Sequence, residues 1–191
     1  MRRELTEILQ LEVVFQTWTA WVAWNRLSEI VRGEWKPELI HEVDDPRTRE
    51  ASQVLAGQAM VWECVRSILT ATAAVSRLKQ RLERQGEQMA SGMAANIDTL
   101  FADRSLRNAF EHVEQELPKW LDENKDLVAA GKVALIGWGA NEPEGAKCFR
   151  YLNTTTWELR VGDTNANLGK MVETLRSATR GGANKARLVL G

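Results

Sequence analysis

Arg107, Asn108 and His112 place three chemically useful side chains within six residues. An arginine is a permanent cation whose guanidinium can clamp a phosphate through two parallel hydrogen bonds. A histidine side chain titrates near neutral pH and can take or give a proton. The amide of an asparagine can orient either group. His112 is one of only two histidines in the chain. The other, His41, stands beside Glu42, Asp44 and Asp45, but no second histidine follows at a ligand spacing. That stretch reads as a solvated turn, and no metal site is expected.

The element expected to carry these residues is a helix from Ser105 to about Asn124. Ser105 suits an N-cap, since its hydroxyl can accept from a free amide of the first turn. Leu106, Phe110, Val113, Leu117 and Leu121 recur at helical spacing as an apolar stripe. Pro118 lacks a donor, so a kink or restart is expected there. On one ideal helix, at about 100° per residue, Arg107 and His112 stand about 140° apart. They cannot easily meet at one phosphate within a single chain. Arg107–Glu111 is also an ordinary i, i+4 ion pair, and Asn108–His112 an ordinary i, i+4 polar pair. Glu111 and Glu114 bring negative charge to the same surface.

The formal net charge of −1 over 191 residues provides no global basic field, so any nucleic-acid site must be local. Cys64 and Cys148 form no ligand pattern and read as reduced, buried thiols of a cytoplasmic protein. The N-terminus carries no basic–apolar–small signal, and no stretch of about 18 apolar residues could span a bilayer. Asn153-Thr154-Thr155 reads as a turn rather than a glycosylation site.

Along the chain, residues 4–32 read as a first helix. Ile8, Leu11, Phe15, Trp18 and Val22 follow the helical period, and Leu5, Val14 and Trp21 widen the stripe. Five of the eight tryptophans (Trp18, Trp21, Trp24, Trp35, Trp62) fall in the first third. They suit either a core or a surface shared with another subunit. Gly33 stops this helix. Residues 47–85 read as a long second helix, with small residues Ala71 to Ala74 allowing close approach. Its basic end (Arg77, Lys79, Arg81, Arg84) suits either RNA or the helix dipole. Met89, Met93, Ile97, Leu100 and Phe101 suggest a shorter third helix. Past Gly131 the character changes: residues 133–136, 147–152 and 156–161 read as strands, the last two as a hairpin, and 165–180 as a closing amphipathic helix. Gly137-Trp138-Gly139 lacks the third glycine and the following helix of a dinucleotide loop, so no cofactor is expected. The expected fold is mainly α: an up-and-down helical bundle over 1–130, then a small C-terminal β-hairpin unit and closing helix over 131–191, packed on the bundle.

Arg107-Asn108-x-x-x-His112 resembles the R-x(4–6)-H signature of the HEPN superfamily, in which a polar residue, often Asn, follows the arginine. HEPN domains are helical bundles with the motif on a late helix, and the resemblance covers roughly residues 4–125. It implies a metal-independent endoribonuclease, a toxin or anti-phage effector, with Arg107 and His112 as the catalytic pair and Asn108 orienting them. It implies RNA as partner, a homodimer whose two motifs form one composite site, and a nucleotidyltransferase-type antitoxin as a further partner. Some HEPN domains only bind RNA, nucleotides or proteins, and a non-catalytic dimeric module is the alternative. No membrane partner is implied.

Overall fold

A computed structural model of the chain describes residues 2–35, 46–84, 86 and 105–180. The expected third helix, the His41 turn and the C-terminal tail lie outside these residues. Two long helices, α1 (Arg2–Val31) and α2 (Pro46–Arg84), pack along their lengths. Three short helices follow: α3 (Ser105–Glu111), α4 (Val113–Glu123) and α5 (Lys125–Ala129). Then come β1 (Val133–Gly139), β2 (Lys147–Asn153), β3 (Glu158–Val161) and β4 (Thr164–Asn167), and a closing helix α6 (Leu168–Arg180). None of the described helices is long and apolar enough to cross a membrane.

The seam between α1 and α2 is built from Leu9, Val13, Ala20, Leu27 and Ile30 against Val61, Val65, Ile68, Val75 and Leu82, all buried. Small residues on both sides (Ala20, Ala71) let the backbones approach. The buried hydroxyls of Thr17 and Thr72 donate to the carbonyls of Val13 and Leu69, which removes the penalty of an unpaired polar group. This seam is not the stripe that periodicity singled out. Ile8, Phe15, Trp18 and Val22 lie on the opposite flank of α1 and are exposed. Both flanks of α1 are apolar, and the flank with alanines at the contact packs closer. Gly33 ends α1 as expected: at φ 72° its amide bonds to Ile30, and the Glu34 amide reaches back to Glu29.

The C-terminal part is a four-stranded mixed sheet in the order β1-β2-β3-β4, not a lone hairpin. The β2–β3 antiparallel pair is the expected hairpin. Its turn is fixed by the Asn153 carboxamide oxygen, which accepts from the amides of Thr155 and Thr156. Two further strands flank it: β1, where a strand was expected, and β4, where none was. β1 lies parallel to β2, from Val133↔Lys147 to Gly139↔Asn153. The return runs only through residues 140–146, which is short for a parallel connection. Glu142 anchors it: its carboxylate accepts from the Cys148 amide and from the Arg160 guanidinium. β4 takes residues expected to begin the last helix. Two asparagines could have capped that helix, and Asn167 does so, accepting from the Lys170 amide at 2.9 Å.

Sheet and helices share one hydrophobic cluster, in which Phe149, Leu152, Leu159 and Val161 meet Trp120, Leu168, Val172 and Leu175. Trp157 packs at a tilt against Trp24, ring centroids 4.6 Å apart, and the Arg176 guanidinium lies over Trp21 at 4.7 Å, so α6 and the sheet cover one flank of α1. Burial pushes the Cys64 thiol up to about 11 and also raises that of Cys148. Neither is an activated nucleophile.

Candidate functional site

The helix expected to run from Ser105 to Asn124 is broken at His112. This residue has φ −108° and ψ 49°, outside the helical region, and separates α3 from α4. Pro118, where the break was expected, sits inside α4 instead. The cause of the break lies in the sheet. In a continuous helix the Phe110 carbonyl would accept from the Glu114 amide. Here it accepts from Nη2 of Arg150, on β2, at 2.6 Å. The same guanidinium lies over the Phe110 ring, 4.3 Å from its centroid. Phe110 in turn meets Trp62 of α2 at 6.0 Å. A seven-residue helix is too short to stand alone. Buried Leu106 and Phe110 and the Arg150 tie hold α3 in place.

The break changes how the motif is displayed. His112 takes the N-cap position of α4: its amide donates to the Asn108 carbonyl at 2.8 Å, and its own carbonyl accepts from Gln115 and Glu116. Its imidazole makes no capping bond. The side chain is 53% exposed, and its Nδ1 lies 3.5 Å from Oε1 of Glu114. Asn108 is exposed. Arg107 is half-buried, and its Nε donates to Glu111 Oε1 at 3.0 Å. Arg107 is therefore held by Glu111, four residues on, and His112 has the Glu114 carboxylate nearby, two residues on. No hydrogen bond or ion pair joins them to one another among the described residues. Glu111 and Glu114 are each the immediate neighbour of one motif side chain.

Arg150 is the residue that sequence reasoning missed. A charged residue in the otherwise apolar run Cys148-Phe149-Arg150-Tyr151-Leu152 was the available signal. Burial, with Arg66 nearby, lowers its pKa. It has no carboxylate partner among the described residues, and its buried Nε has no acceptor. What it holds is the Phe110 carbonyl and ring. Arg150→Met should cost about 1–3 kcal/mol, the loss of a hydrogen bond to a charged donor and of the ring contact. It should also let α3 and α4 join, since the Phe110 carbonyl becomes free to accept from Glu114. Hydrogen exchange at the Glu114 amide would show it: slower exchange relative to global stability is expected, and unchanged exchange would contradict this account of the break.

Among the described residues no group of three or more His, Cys, Asp or Glu side chains is placed to hold a metal ion. Searches of protein-family models, curated proteins and solved structures returned no match to this chain.

Proposed function

We propose that this chain is a metal-independent endoribonuclease of the HEPN type, a toxin or anti-phage effector whose site is completed by a second copy. The observation that supports it most is the break at His112. It sets an imidazole in solvent at the head of α4, with the Asn108 amide one turn before it and Arg107 beside that. RNA carries its own nucleophile, the 2′-hydroxyl. In the proposed reaction an imidazole takes the 2′-hydroxyl proton as the oxygen attacks phosphorus. The bond to the 5′-oxygen breaks, and that oxygen takes a proton. Arg107, released from Glu111, neutralises charge on the phosphate as it develops, and Asn108 orients the reacting groups. The two motifs of a homodimer supply the acid and the base from two histidines.

The products are then a 2′,3′-cyclic phosphate and a 5′-hydroxyl. End analysis of RNA cleaved in the presence of a chelator should find both. A linear 3′-hydroxyl product, or activity that disappears with the chelator, would refute this chemistry.

A second reading, a non-catalytic RNA-, nucleotide- or protein-binding dimer, is favoured by one observation. The Arg107 guanidinium is already engaged by Glu111 at 3.0 Å and must exchange that partner before it meets a phosphate. RNA bound but left intact would support it.

A further inference from the structure

The outer flank of α1 presents Ile8, Phe15, Trp18 and Val22 at 61%, 64%, 62% and 60% exposure. Their spacing is regular. Ile8, Phe15 and Val22 recur every seven residues, and Leu11 and Trp18 fall three residues after the first two. That is the alternating three–four repeat with which helices interlock side by side. The inner flank of α1 is already covered by α2 and by Trp157 and α6. Among the described residues nothing covers this flank, and its regular repeat suits a helix of matching repeat.

We infer that this flank is a homodimer seam, in which α1 of one copy packs antiparallel against α1 of a second copy. The repeat is self-matching, so a two-fold axis across the helix satisfies both copies at once. The area fits. Whole aromatic side chains bury about 150–250 Å² each. Phe15 and Trp18 at their observed exposure therefore offer roughly 200–300 Å², and Ile8 and Val22 roughly double the count of apolar side chains on offer. A standard interface buries about 800 Å² per partner and is somewhat over half non-polar, so it needs roughly 450–500 Å² of apolar surface. The charges choose the direction. Glu7 and Glu12 flank the stripe. A parallel, in-register pair would set each Glu7 against Glu12 of the partner subunit, two like-charge contacts that the antiparallel arrangement avoids. A lipid surface fits poorly, because residues 4–25 contain no Lys or Arg to meet anionic headgroups.

The seam does not depend on the ribonuclease reading, and its test is blind to activity. Sedimentation of the full chain at micromolar concentration should give twice the 21.5 kDa mass of one copy. The double variant Phe15→Glu, Trp18→Glu should weaken the dimer about 30-fold or more, as expected for central aromatic anchors. Its far-ultraviolet circular dichroism should not change, because both side chains are exposed. Val54→Glu, an exposed apolar position on α2, should leave the mass unchanged. Should the double variant lose its helical signal, Ile8→Lys with Val22→Lys tests the two ends of the same seam. A native protein that sediments as a monomer overturns the inference, as does a dimer that survives either folded double variant. RNA cleavage by a folded monomeric variant would instead refute the composite site and leave the seam standing.

Discussion

Phe149→Ala should lower the unfolding free energy by about 3–5 kcal/mol. Phe149 is 0% exposed and sits where the sheet meets α4. Its ring meets Trp120 edge-on at 5.5 Å, an arrangement favoured by the ring quadrupoles. Its carbonyl accepts from the Gly162 amide at 2.8 Å, which fixes the backbone of the neighbouring turn. The surrounding groups belong to regular elements and can collapse only partly into the space left by the ring. Trp120 also carries the Lys147 ammonium 5.7 Å from its ring, so loosening Trp120 disturbs a second contact. Urea unfolding followed by circular dichroism measures the change. A shifted midpoint with an unchanged slope is expected. A loss under about 1 kcal/mol would mean that sheet and helices do not share one core.

His112→Ala should reduce RNA cleavage by about 10²–10⁴-fold, the range contributed by a positioned general acid or base. The same substitution should change stability by no more than about 0.5 kcal/mol, because the side chain is exposed and makes no capping bond. That contrast separates chemistry from folding. A purely structural His112 predicts the reverse, little change in cleavage and a measurable change in stability. Kinetics under single-turnover conditions, read beside a denaturation curve of each protein, distinguish the two.

The two long helices were legible because the apolar period of α1 and α2 runs over many turns, and Gly33 marks a stop. Which flank of α1 is buried was not legible. Ile8, Phe15 and Trp18 are more apolar than the Ala20 and Ala23 that pack inward, so hydrophobicity alone favours the wrong side. Closeness of approach decides the matter, and that depends on α2. The break at His112 was invisible for a related reason: its cause, Arg150, lies 40 residues from Phe110 along the chain. Local rules pointed to Pro118. The Arg107–Glu111 pair was legible, since i, i+4 spacing on a helix suffices to define it. β1 was legible as a strand, but its parallel pairing with β2 was not, because the Glu142 anchor acts only once the return loop is folded. β4 was hidden by Asn165 and Asn167, either of which could begin the last helix.

If the exposed His112 at the α3–α4 break performs metal-independent RNA cleavage, as proposed, a single incubation should show it. Purified native protein and the His112→Ala variant, matched for concentration and oligomeric state, are mixed with total RNA in excess EDTA. The native protein should cleave the RNA and the variant should leave it almost intact. Equal cleavage by both, or none by either while the native protein binds RNA, would overturn the proposed catalytic role of His112.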